Sequence, residues 1–209
     1  MPRRRRRTTV PYPRDAATEQ RVREVAARVR RRFDLDTARD RWTSLIPDAA
    51  ALSRSVPTLS LDDYSRIPFV KSVPGVEWYQ YRARLRAGDG DLYAVAAAPI
   101  EGYEAYNRAH LGLGATELVR LDRDAAGDLS LARRLLHDEA ALRTIARAAR
   151  AGGGLRVHPY MGITEVWELA RGIGEAAGVP VYVLGPLPEV TRLVNDKGRF
   201  SEVVTELLG

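Results

Sequence analysis

The chain of 209 residues contains no cysteine. Disulfide staples, thiolate metal sites and a cysteine nucleophile are thereby excluded. No apolar run approaches the roughly 20 residues that a membrane-spanning helix needs. The N-terminus lacks the apolar core of a secretory signal, so a cytoplasmic location is expected. Phosphate-binding glycine motifs are missing too, since no GxxxxGK[ST] occurs and no GxGxxG follows the first apolar run. The glycines at Gly112, Gly114 and Gly152–Gly154 fall between helical and strand patterns, where they read as caps and turns. Three histidines, His110, His137 and His158, stand far apart and without metal-ligand spacing. Ser72 is followed closely by Pro74 and forms no nucleophile elbow.

Positive charge is abundant but local. The net charge is +6 and the sequence pI about 9.9. Residues 1–41 carry 14 Arg against 6 Asp and Glu, whereas residues 42–209 carry 19 Lys and Arg against 21 Asp and Glu. The basic excess is a terminal feature. Residues 1–14, with three prolines and six arginines, read as a disordered arm. Arg3 to Arg7 can attract a polyanion by Coulomb forces, but no aromatic platform or nucleic-acid motif accompanies them. A nucleic-acid function is therefore disfavoured.

Apolar residues make up 45% of the chain, and a domain of this length buries roughly 70% of its unfolded surface, so the core needs no staples. Asp15 can cap a helix running to about Arg32, with Val22, Val25, Val29 and Phe33 on one stripe. A second short helix is expected over Thr37–Ile46, ended by Pro47. From Ile67 the pattern alternates. "IPFVKSV", "DLYAVAAAPI", "TELVRL", "LRVHPY" and "VPVYVLG" read as strands. Between them "VEWYQYRARLRAG", "EGYEAYNRAHLG", a stretch of about twenty residues from Ser130, and "ITEVWELARGIGEAA" read as helices, and a last helix begins near Asp196. Apolar strands alternating with helices imply a mostly parallel sheet of about five strands covered on both faces. The expected fold class is α/β, a three-layer Rossmann-like domain with N-terminal helices added. The expected organisation is an arm over 1–14, a helical extension over 15–64 and the α/β domain over 65–209. Ligands of such sheets bind beyond the carboxyl ends of the strands, which directs attention to loops Val73–Val76, Ala98–Gly102, His158–Thr164 and Gly185–Glu189. His158 sits where a strand enters one of these loops, as a structural histidine or a substrate contact.

The last fifty residues carry a resemblance. "HPYMGITEVWELARGIGEAAGVPVYVLGPLPEVTRLVNDKGRF" resembles the end of the first domain of ATP-grasp enzymes, with His158, Pro159, Tyr160, Gly162, Glu165, Gly178, Pro180, Gly185, Pro186, Asp196 and Lys197 at the matching positions. The Asn-Asp-Lys form, with "VPGVEWYQYR", "APIEGYEAY" and "SLARRLLHDEAALRTIA" upstream, is similar to the N-terminal, pre-ATP-grasp domain of peptide-forming carboxylate–amine ligases. The resemblance covers about residues 65–209. It implies that Lys197 contacts an ATP phosphate from a helix start, where Asp196 caps the helix and free amides attract anions. It places Gly75, His158, Tyr160 and Gly162 near the carboxylate substrate. ATP and Mg²⁺ belong to the complete enzyme, and none is expected to bind this chain alone. Its partners would be ATP-grasp subdomains, a carboxylate and an amine. Such an enzyme forms an amide through an acyl phosphate; without those subdomains the chain is expected to be inactive. The alternative is a stand-alone Rossmann-like module binding a small ligand or a partner without catalysis.

Overall fold

The computed structural model describes residues 15–122 and 130–208. The basic arm over 1–14 lies outside the described residues. Helix α1 (Ala16–Arg32) opens as its sequence dictates, with Asp15 accepting a hydrogen bond from Thr18 N at 2.7 Å. Of its apolar stripe Val25 is fully buried and Val22, Val29 and Phe33 are half-buried. Short helices α2 (Leu35–Arg41) and α3 (Ala49–Ser53) follow, with a 3-10 turn over Thr43–Leu45 between them.

The sheet has five strands, β1 (Thr58–Leu61), β2 (Leu92–Val95), β3 (Glu117–Arg120), β4 (Leu155–Pro159) and β5 (Val181–Val183), in the order β3-β2-β1-β4-β5. Every pairing is parallel. The fold is the expected three-layer Rossmann-like one, but its first strand is not. Ile67–Val73 forms turns and a short 3-10 helix (Val70–Ser72), and the strand is Thr58–Leu61, inside the stretch read as a helical extension. Asp91 fastens it, accepting from Thr58 N at 2.7 Å and from Gly88 N at 2.8 Å.

Alternation along the strands sorts two cores. Leu59, Leu61, Leu92, Ala94, Leu155, Val157, Val181 and Val183 face one side, where they meet α5 (Leu131–His137), α6 (Glu139–Ala151) and α7 (Thr164–Ala177). The single helix expected from Ser130 is thus two. Asp138 interrupts it in an extended conformation and caps α6 by accepting from Ala141 N at 2.8 Å. Trp42 and Trp167 join this core with ring centroids 5.6 Å apart.

Tyr93 and Val95 face the other side, beneath Tyr81, Ala83 and Tyr103. The cover here is a 3-10 helix over Val76–Arg86, not the α-helix its composition suggests, followed by α4 (Tyr103–Leu111). Three residues per turn place Tyr81 and Arg84 on one inward line. Arg84 is fully buried. Its Nε donates to both Glu104 carboxylate oxygens at 2.9 and 3.0 Å, and its two terminal nitrogens donate to the Ala87 and Gly114 carbonyls. The chain then closes with α8 (Pro188–Asn195) and α9 (Lys197–Leu208). Arg32 of α1 pairs with Glu202 and Glu206 of α9, seating the last helix on the first. Among the described residues no helix is long and apolar enough to cross a membrane.

Candidate functional site

Strand order reverses between β1 and β4. From β1 the chain leaves toward β2 on one face, and from β4 toward β5 on the other, so the loops beyond these two strands part and leave a crevice. A cavity of about 980 Å³ occupies it. One wall is Arg66–Phe69, beyond β1; the second is Tyr160–Met161 and Ile163–Thr164, beyond β4; the third comes from α8 and the start of α9.

The loop beyond β1 is held by Asp63, which is buried and accepts four hydrogen bonds. Ser65 supplies two, from N at 3.0 Å and Oγ at 2.6 Å; Ser130 Oγ and Ala132 N supply the others at 2.8 and 2.9 Å. That arrangement ties the loop to the start of α5. Arg66 reaches across the loop to Glu165 in the first turn of α7, and Arg133 approaches the same carboxylate oxygen at 3.3 Å. Glu165 is 3% exposed, so a buried carboxylate sets where these guanidinium groups sit.

The positive charge left over lies on the third wall. Asp196 ends α8 and starts α9, accepting from Arg199 N at 3.1 Å on its side chain and from Phe200 N at 2.8 Å on its carbonyl. Its charge is offset by Arg199 Nε at 3.4 Å. Arg192 and Lys197, both exposed, have no side-chain partner among the described residues. Two uncompensated cations therefore face a cavity whose other walls include Ile67, Phe69, Met161 and Ile163. Such a site suits an anion with apolar parts.

The residues expected at the substrate divide. Tyr160 lines the cavity, and Gly162 lines a smaller neighbouring one. Tyr160 is held by Arg82, whose guanidinium lies 5.0 Å from its ring and 5.1 Å from that of Tyr79, and pairs with buried Asp62 at 3.2 Å. Gly162 has no room for a side chain, because a Cβ there would sit 2.0 Å from the Pro186 carbonyl oxygen. Gly75 and His158 line neither cavity. Gly75 sits at φ 71° ahead of the 3-10 helix over Val76–Arg86, and His158 lies opposite Ser60 on the sheet face turned away from Leu155 and Val157. Of the four loops singled out by the strand pattern, His158–Thr164 and Gly185–Glu189 contribute to the cavities, and Val73–Val76 and Ala98–Gly102 do not. Arg66, Phe69, Thr191 and Arg192 are the additions. Arg66 and Phe69 were hidden by the misplaced first strand, while Pro188, at the first helical position of α8, was the available signal for Thr191 and Arg192.

Burial lowers the pKa of His158 below its ordinary value, the Arg86 charge adds to this, and Asp62 opposes it. The unfolded chain therefore takes up this proton first on acidification. Stability from His158 is present above about pH 6.5 and is lost as pH falls through that value toward the folded one. Thermal melts between pH 7.5 and 5.5 should show Tm falling with acid, and His158→Gln should flatten that part of the slope; an unchanged slope would refute the assignment.

A family model described as the Pre ATP-grasp domain matches residues 80–175. Over these residues the chain is similar to the pre-ATP-grasp domain. The match runs from the 3-10 helix over Val76–Arg86 into α7 and takes in His158, Tyr160, Gly162 and Glu165, but stops before α8 and Lys197. Neither a curated protein nor a solved structure matches the chain. The pre-ATP-grasp domain is an N-terminal domain of the ATP-grasp superfamily; of the crevice, the match takes in the wall beyond β4, while Arg66–Phe69 and the wall that bears the cations lie outside it.

Proposed function

We propose that this pre-ATP-grasp domain forms the substrate side of an ATP-grasp carboxylate–amine ligase. The observation that carries the reading is the crevice between β1 and β4, where Arg192 and Lys197 stand on one wall without a side-chain partner among the described residues, and the pre-ATP-grasp match takes in β4 and the loop beyond it. Lys197 begins a helix of 12 residues capped by Asp196, and Arg192 lies on the same wall. The two fit a phosphate of ATP. When bound, ATP supplies the phosphoryl group that activates a carboxylate as an acyl phosphate, which an amine such as an amino acid or peptide then opens to an amide. This chain's residues bind and orient. Tyr160 and Gly162 border the substrate, while Arg66, held by Glu165, adds charge at the mouth. Among the described residues no three carboxylate or imidazole groups gather as a metal site, so no Mg²⁺ step is assigned to them. The nucleotide subdomains, on the same polypeptide or a separate one, are the partner the reading requires.

Calorimetric titration of Mg·ATP into the chain together with those subdomains tests it. Lys197→Ala should weaken binding about tenfold, as expected for one charged hydrogen bond, with the melting curve unchanged. Equal affinity in the variant would remove Lys197 from the site.

A further inference from the structure

Beyond the charged crevice, a second cavity of about 230 Å³ lies past the ends of β4 and β5. It is mainly apolar, walled by Pro159, Leu184, Pro186, Val190 and Val194. The two cavities are neighbours, since Tyr160, Met161, Thr191 and Asn195 belong to the walls of both. The cations belong only to the larger one. Thr191 marks the junction. It is 8% exposed, and its hydroxyl has no hydrogen-bond partner among the described residues. Buried hydroxyls are normally satisfied, because one stripped of water and left unpaired is costly. Gly162, in the loop beyond β4, lies against this hydroxyl, and a Cβ there would approach Thr191 Oγ1 to 3.1 Å and the Pro186 carbonyl oxygen to 2.0 Å. Glycine is thus required where the loops beyond β4 and β5 touch.

We propose that the two cavities form one bipartite site for a carboxylate carrying a short apolar arm, with the anion among Arg66, Arg192 and Lys197, the arm in the smaller cavity, and Thr191 hydrogen-bonded to the polar atoms joining them. This rests on reading the crevice as a substrate-side site and adds what that reading lacks, a determinant of which carboxylate enters. The size is set by the smaller cavity. Benzene fills an apolar cavity of about 150 Å³, so 230 Å³ takes a branched aliphatic group or a single ring. A ligand amide or hydroxyl at the junction satisfies Thr191 Oγ1, which can both donate and accept.

Titration of the full chain with N-acetylglycine and N-acetylleucine, followed by calorimetry or amide chemical shifts, tests the assignment. N-acetylleucine should bind at least about tenfold more tightly, the scale on which an apolar pocket distinguishes added methylenes. Val194→Phe, at an exposed position on the smaller cavity's wall, should abolish that preference and leave N-acetylglycine unchanged. Thr191→Val should weaken both ligands about tenfold while Tm stays level or rises, because the methyl replaces an unpaired hydroxyl of similar size. A merely structural threonine would give a lower Tm and unaltered affinity. Equal binding of the two ligands, binding of neither, or unaltered affinity in Thr191→Val overturns the proposal. The parent reading fails separately. Loss of the Mg·ATP response with the leucine preference intact refutes the nucleotide contact alone, and an intact Mg·ATP response without the preference refutes the bipartite site alone.

Discussion

Arg84→Met is expected to destabilise the chain by about 3 kcal/mol, because it removes one partner of a buried ion pair. Methionine fills much of the same space, so the loss is electrostatic more than volumetric. Three acceptors lose their donor together, the Glu104 carboxylate and the carbonyls of Ala87 and Gly114. Glu104 also accepts from the Tyr93 hydroxyl at 2.7 Å, and burial, reinforced by Glu104, raises the pKa of that tyrosine. An unpaired carboxylate there must find water or a proton. Glu104 is 34% exposed and partly reaches solvent, which sets the estimate at the low end for broken buried pairs. For a domain of this size the loss corresponds to roughly 6–12 °C in Tm. Urea unfolding of the variant measures it directly. The double variant Arg84→Met with Glu104→Gln should recover part of the loss, since no lone charge remains. A loss under about 1 kcal/mol in the single variant would show that the knot is not holding the 3-10 helix and α4 to the sheet.

The same knot explains why the 3-10 helix was legible as helical but not as 3-10. Apolar and aromatic residues at Trp78, Tyr79, Tyr81, Ala83 and Leu85 give no clear period, and Arg84 reads as a solvated residue. Only the tertiary partners Glu104 and Gly114, 20 and 30 residues away, make its burial possible. Long-range partners also explain the first strand. β1 is four residues long and preceded by Pro57, too short for a period, and its place in the sheet is decided by pairing with β2 and β4. Strands β2 to β5 were legible because their apolar runs stand between helices with clear stripes, such as Val166, Leu169, Ala170 and Ile173 in α7. For the crevice the sequence offered the His158–Thr164 loop, from the strand pattern, and Lys197, from the ATP-grasp resemblance. Arg66 and Thr191 were out of reach, because what distinguishes them, a salt bridge to a residue 99 positions away and a hydroxyl without a partner among the described residues, exists only after folding.

Asp63→Ala should lower stability by about 3 kcal/mol and weaken ligand binding at the same time, whereas Lys197→Ala should change binding alone. Asp63 carries no partner cation among the described residues; its charge is satisfied by two amides and two hydroxyls, the arrangement that makes a buried carboxylate tolerable. Alanine leaves Ala132 N, in the first turn of α5, without an acceptor inside the protein. It also frees Ser65, and with it the loop that brings Arg66 to the crevice. Arg66 then loses the fixed approach to Glu165, so an anion in the crevice meets a less ordered charge. Asp63→Asn separates the two halves of this argument. Its remaining carbonyl oxygen can still accept from Ser65, but its amide faces Ala132 N, donor against donor. The Asn variant should therefore lose stability through α5 while keeping the Ser65 turn and most of the affinity for N-acetylleucine. Equilibrium unfolding and titration on the same two variants give both quantities. If Asn lowered affinity as much as Ala, the Ser65 turn would not be what positions Arg66, and its placement would have to come from Glu165 and Arg133 across the crevice.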